Sequence, residues 1–160
     1  TISLAISAAE TGHLVFGTLH TSSAAQTVDR IVDVFPPAQH QQVRVQLSNS
    51  LVAVLSQCLV SKHNPKPGEF GRVMAQEIMV VTPGISNMIR EGKTAQIYGA
   101  IQTGGRLAMQ TLEMALADLY KAKVISFEAM MSKTSRPEEI QRLVGAPPGA
   151  AKTPAKSGRR

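Results

Sequence analysis

Two apolar runs, Leu55 to Val60 and Arg72 to Val81, flank the segment Lys62-His63-Asn64-Pro65-Lys66-Pro67-Gly68. Turn formers dominate that connector, so it can continue neither a helix nor a strand, and the runs on either side predict a hairpin-like pair of strands. Everything else in the chain must then pack around a short sheet. Upstream, Ile2, Ala5, Ile6 and Ala9 recur at helical spacing over Ile2 to Glu10, and Gly12 is placed to end that helix. His13 to Leu19 follows with the composition of a short strand, so the chain alternates helix, tight turn and strand in an α/β rhythm.

Thr21, Ser22 and Ser23 offer hydroxyls to cap a second helix, whose apolar stripe runs through Ala25, Val28, Ile31, Val32 and Phe35. Pro36 and Pro37 stop it, and Pro37 also suits the first turn of a third helix carrying Val43, Leu47, Leu51 and Val54. Beyond Thr82-Pro83 the pattern predicts short helices at Ile85 to Arg90, Ala95 to Ile101, Leu107 to Leu119, Ser126 to Met131 and Pro137 to Leu143. From Gly145 onward Ala, Pro, Gly, Lys, Ser, Thr and Arg supply too little apolar surface to offset the entropy of ordering, which predicts a disordered basic tail. The expected organisation is therefore 1–82, then a helical cluster over 83–144, then the tail over 145–160.

A chain of 160 residues, 43% hydrophobic, is long enough for one modest core. Its formal charge of +6 would suit a nucleic-acid partner, but Lys152, Lys156, Arg159 and Arg160 place +4 of it in the tail. The body lacks a basic helix or an aromatic platform, so no specific nucleic-acid partner is expected. Cys58 is the only cysteine, which excludes an internal disulfide or a cysteine-rich zinc site. The longest apolar run, Leu51 to Val60, is broken by Ser56 and Gln57 and falls short of the roughly 20 residues that span a bilayer. Since the chain opens Thr-Ile-Ser-Leu and reads as helix from its first residues, it is treated as a fragment of a longer cytoplasmic protein.

Histidine is the residue type with most chemical scope here. His13 and His20 bracket the predicted strand, and seven positions apart on a regular strand they would face opposite sides, which argues against a shared metal. His13 also fits an ordinary helix-to-strand turn. His20 lies where the strand delivers its C-terminal end to the next helix, the usual ligand edge of an open α/β sheet. Thr18, Thr21 and Ser22 surround it with hydroxyls suited to a phosphate or a bound water. His40 and His63 stand in polar contexts and are expected to be solvated. No G-x-x-x-x-G-K-[ST] loop occurs, and Gly104-Gly105 lacks the following Lys and Ser/Thr, so by its own residues the chain cannot cradle a triphosphate.

The run Ala-Glu-Thr-Gly-His-Leu-Val-Phe-Gly-Thr-Leu-His-Thr, Ala9 to Thr21, resembles the histidine box of the secretion and pilus ATPase superfamily, and in particular its type IV pilus retraction branch. So do its continuation through Pro36, Gln76-Glu77-Ile78-Met79, Ile101 to Gly105 and Met109 to Leu112. The resemblance implies the C-terminal part of a RecA-like P-loop ATPase core followed by a helical cluster, working as a homo-hexamer at the inner-membrane platform of the pilus. It implies ATP and Mg²⁺ as cofactors, both held mainly by residues outside this chain, so that the chain alone is expected to be inactive. It assigns phosphate sensing to His20 and His13, with Thr18 and Thr21 as neighbours.

Gly84-Ile85-Ser86-Asn87-Met88-Ile89-Arg90-Glu91 is similar to the retraction helix of that branch, departing at Gly84, Ser86 and Met88. Assembly and secretion ATPases of the superfamily typically insert a tetracysteine zinc module after the segment matching Leu55 to Val60. Here Cys58 stands alone, which favours retraction over assembly. An assembly or type II secretion ATPase, and a nucleic-acid-binding module, are the two rival readings.

Overall fold

The computed structural model describes residues 1–145, and the remainder of the expected tail, 146–160, lies outside the described residues. Among the described residues eight α-helices and two strands follow one another as α1 (Ile2–Glu10), α2 (Ala24–Asp33), α3 (His40–Ser50), β1 (Ala53–Ser61), β2 (Arg72–Val80), α4 (Pro83–Arg90), α5 (Ile97–Thr103), α6 (Leu112–Lys121), α7 (Phe127–Met131) and α8 (Pro137–Val144). Among the described residues no helix is long and apolar enough to cross a membrane.

The hairpin forms as the two apolar runs require. β1 and β2 pair antiparallel in an unbroken register from Ala53 opposite Val80 to Ser61 opposite Arg72. Side chains of a strand alternate between faces, and the inward face of this hairpin carries Val54, Ser56 and Val60 from β1 with Ala75, Glu77 and Met79 from β2. Its two ends serve two apolar clusters. Val54 and Met79 join Ile6, Val28, Val32, Leu47, Ile85, Ile89 and Ile101 of α1 to α5. Val60 and Ala75 join Leu116, Ile125, Met130 and Ile140 of the α6 to α8 region. Residues from both sides of position 82 thus contribute to each cluster.

Local chemistry accounts for most helix ends. Ser23, Thr82, Thr111 and Ser126 each cap a helix by accepting the backbone N–H three residues on. At α1 the chain turns through Gly12 at φ +93°, a left-handed conformation that costs glycine little.

Three expectations are corrected. His13 to Leu19 forms no strand, because a strand needs a neighbour to take its N–H and C=O groups and no strand of the described residues lies beside it. Leu14 and Phe16 are left 78% and 88% exposed, and the alternation that would set His13 and His20 on opposite faces does not apply. Val54 belongs to β1, since α3 ends at Ser50. The helix expected from Leu107 starts only at Leu112, because the preceding residues are committed elsewhere: Met109 is buried in the first cluster and Gln110 bridges to Ile78 on β2, through Ile78 N–H to Gln110 O at 2.9 Å.

Met109 also explains one glycine of the pair at 104 and 105. A Cβ on Gly104 would overlap Met109 Cε and come within 3.1 Å of the Ala100 carbonyl oxygen, whereas Gly105 faces open space. Gly104→Ala is therefore expected to destabilise the fold by about 1–3 kcal/mol, and Gly105→Ala by much less. Denaturant unfolding of the two variants checks this, and equal effects would contradict the packing described.

Candidate functional site

The segment from His13 to Ser23 leaves α1 and enters α2, and its ordered hydrogen bonds lie at its two ends. Thr11 Oγ1 donates to Ala8 O and lies 3.1 Å from His13 Nδ1, so His13 is tied to the exposed turn that closes α1. At the other end Ser23 Oγ accepts from Gln26 N–H, and Gln26 Oε1 accepts from Ser22 N–H at 3.3 Å and from Ser22 Oγ at 2.7 Å. This is a capping box displaced by one residue. Thr21 Oγ1 bonds Thr27 Oγ1 at 2.7 Å, which commits that hydroxyl to α2. Thr18 and His20 are exposed, so the pair presents a hydroxyl and an imidazole to the outside. His13 and Thr21 are thus hydrogen-bonded to neighbouring residues, while the Thr18 and His20 side chains are exposed.

Of the other histidines, His63 is exposed as expected. His40 is half-buried rather than solvated, because its Nε2–H donates to Phe35 O at 2.8 Å across the Pro36-Pro37 turn. Metal chemistry finds no ready donor set, for no three His, Cys, Asp or Glu residues among those described gather to hold an ion.

Behind the segment lies a buried carboxyl. Glu77, 4% exposed, points inward from the middle of β2 and its Oε1 accepts the N–H of Ala24, the first residue of α2, at 2.7 Å. Burial pushes the Glu77 carboxyl above its ordinary value; the Ala24 amide opposes that, the neighbouring Glu113 adds to it, and the Leu112 amide and Arg136 oppose it. Glu113, 2% exposed, accepts from Tyr98 Oη at 3.1 Å and from Thr134 Oγ1 at 3.0 Å. The Arg136 guanidinium lies 3.9 Å from the centre of the Tyr98 ring. Burial beside Glu113 pushes the Tyr98 hydroxyl up to about 12.

The second candidate element is α4. Thr82 caps it and Pro83 occupies its first turn. Ile85 and Ile89 are fully buried and Met88 packs against the same cluster, as the apolar trio predicts. Asn87, Arg90 and Glu91 are exposed. Arg90 Nη2 makes a 3.4 Å contact with Asn49 Oδ1, and Glu91 accepts from Asn87 at 2.9 Å and pairs with Lys93 at 2.7 Å. The Lys93 contact comes first among the causes that hold the Glu91 carboxyl below its ordinary value. The departures from the retraction pattern are accommodated. Gly84 has room for a Cβ, and Ser86 Oγ donates to Ser48 O at 2.6 Å, joining α4 to the end of α3.

A family description, type II/IV secretion system protein, matches residues 1–138 of this chain. The chain belongs to that family. It is 56% identical over 140 residues to the type IV pilus retraction ATPase PilT of Pseudomonas aeruginosa, covering 88% of this chain and 39% of the relative. It is 48% identical over 140 residues to a twitching motility protein of Neisseria gonorrhoeae, covering 88% of this chain and 36% of the relative. The crystal structure of the pilus retraction motor PilT with bound ADP superposes on it with a TM-score of 0.76 at 42% identity, over 88% of this chain and 38% of that one. The expected α/β ATPase fold is thereby shown, and the chain spans under two fifths of the length of the curated relatives it matches.

Within this secretion-family fold, Glu77 lies in the Gln76-Glu77-Ile78-Met79 stretch, which carries no assigned role in the sequence pattern. Its signal was positional. On β2 it shares parity with Ala75 and Met79, so an acid stands where the strand pattern calls for an apolar side chain.

The upward shift at Glu77 fixes the sign of a pH effect. Unfolded, the carboxyl titrates near 4.5, and folded it titrates higher, so its contribution to stability is fully present below 4.5 and is lost as pH rises through the folded value. Wild type is expected to lose stability relative to Glu77→Gln as pH increases above 4.5, read from urea unfolding at a series of pH values. A difference that stays flat, or grows in favour of wild type, would contradict the burial argument.

Proposed function

We propose that this chain is the part of an ATP-hydrolysing type IV pilus retraction motor that carries its histidine box and its retraction helix. The observation that carries the reading is the 56% identity to a pilus retraction ATPase across 88% of the chain. The complete protein would work as a homo-hexamer in the cytoplasm, peripheral to the inner membrane, against the pilus platform machinery. ADP bound to the retraction motor PilT supports an adenine nucleotide as ligand. The exposed apolar run Leu14-Val15-Phe16 is consistent with a strand completed by sheet partners elsewhere in the longer protein.

The chain's residues support the two cofactors unequally. His20 and Thr18 offer hydrogen-bond donors suited to a terminal phosphate, His20 as a sensor of that phosphate and Thr18 as its neighbour. His13 and Thr21 would hold the two ends of the segment. Mg²⁺ would be held mainly by residues outside this chain, since no three His, Cys, Asp or Glu gather among the described residues. With no phosphate-binding loop in its sequence, the chain alone is proposed to be inactive.

On α4, the buried Ile85 and Ile89 would anchor the helix, with Met88 alongside and Gly84 opening its first turn, while Asn87, Arg90 and Glu91 would face the machinery that converts hydrolysis into retraction. Substitutions in the complete protein test both elements together. His20→Ala is expected to lower ATP hydrolysis about a hundredfold with an unchanged circular dichroism spectrum, since an exposed side chain carries little packing. Arg90→Ala is expected to leave melting and hydrolysis within about twofold of wild type while abolishing twitching motility, because exposed contacts of this kind add little stability. Full hydrolysis by folded His20→Ala would remove His20 from the site, and motility that survives Arg90→Ala would leave α4 a structural helix.

A further inference from the structure

Among the described residues, the hydrogen bonds that hold the end of the histidine-bearing segment are nearly all local to α2. Thr21 bonds Thr27, Ser22 bonds Gln26, and Ser23 takes the Gln26 amide and, through its backbone oxygen, the Thr27 hydroxyl. These contacts shape the loop but would travel with the helix if the helix moved. One hydrogen bond reaches outside: the Ala24 N–H donates to Glu77 Oε1, 53 positions away on β2. Ala24 is fully buried, so water cannot substitute for that acceptor.

A second element also acts on the charge of the carboxyl that receives it. The Leu112 amide, in the first turn of α6, also favours the charged form of Glu77. α6 carries Glu113, which Tyr98 and Thr134 hold from α5 and from the turn before α8. One side chain in the middle of the hairpin therefore takes the first amide of α2, the helix following His20, from a strand that also packs against α6 of the second apolar cluster. Helix starts favour an acceptor oxygen because their first amides have no partner within the helix.

We propose that Glu77 is a positioning residue: by taking the first amide of α2, it fixes the Thr18–Ser23 segment, and His20 with it, relative to the side of the molecule built by α6 to α8. The role depends on the reach of the side chain and on an acceptor oxygen at its end. Gln supplies both without a charge. Asp supplies the acceptor and the charge one methylene short. The claim rests on the proposal that His20 faces the nucleotide, and it separates from that proposal by experiment.

Four variants of the complete protein carry the test: Glu77→Gln, Glu77→Asp, His20→Ala, and Met130→Ala, which destabilises the second cluster without touching α2. Amide hydrogen exchange at Ala24, corrected for global unfolding, is read beside kcat and KM for ATP. Glu77→Asp is expected to speed Ala24 exchange and to lower kcat by about tenfold with KM changed less than about twofold, as for a reacting geometry displaced without loss of binding. Glu77→Gln is expected to restore both, and Met130→Ala to alter neither. Unchanged Ala24 exchange or unchanged kcat in Glu77→Asp would overturn the positioning role, as would an equal loss in Met130→Ala. Failure of Glu77→Gln to rescue would equally overturn it, by making charge and not reach the requirement. If folded His20→Ala hydrolyses ATP normally, the reading of His20 fails on its own, whatever Glu77→Asp does to the Ala24 amide.

Discussion

Ser56 and Glu77 stand opposite each other in the β1–β2 ladder, both facing inward, with apolar residues on either side of them. A buried acid is costly unless its oxygens find donors, and here α2 brings its first amide to Glu77 while the Leu112 amide at the start of α6 favours its charged form. That requirement constrains the rest of the arrangement. The two helices must start close to the middle of the hairpin, which directs α2 toward the cluster around Val54 and Met79, and α6 toward the one around Val60 and Ala75. The polar pair lies between those clusters, so neither apolar surface extends unbroken along the sheet.

The elements read most readily from the sequence are those whose signals are local. The hairpin followed from a turn-rich connector between apolar runs, and α2 from its hydroxyl cap and apolar stripe, and both fall where expected. Elements whose conformation depends on distant partners were less legible. The strand composition of His13 to Leu19 is real, but composition cannot supply a neighbouring strand. The start of α6 was missed because Met109 and Gln110 satisfy the first cluster and the edge of β2 before the helix begins, and Ala108 adopts a left-handed turn to let them do so.

The candidate site divides the same way. His20 and Thr18 were singled out because their types and order resemble a known box, and the structure leaves both exposed. Glu77 sat inside a quoted motif with no role attached, since its importance lies in strand parity and in an amide 53 positions away. On α4 the pattern separated the anchoring face from the outward one correctly, because helical periodicity alone decides that. Ser86 appeared only as a departure from the retraction pattern, and its hydrogen bond to α3 could not be read without the fold.

The proposed function turns on the segment from His13 to Thr21 presenting His20 to the terminal phosphate of ATP. Histidine ring resonances of the complete protein, carbon-labelled and recorded before and after addition of ADP and then of a non-hydrolysable ATP analogue, test it directly. His40, held by the Phe35 carbonyl, and His63, within the hairpin connector, serve as internal references. The account predicts that the His20 resonance moves with nucleotide, further for the triphosphate than for ADP, while His40 and His63 stay in place. A His20 resonance that remains unmoved under saturating nucleotide would contradict it.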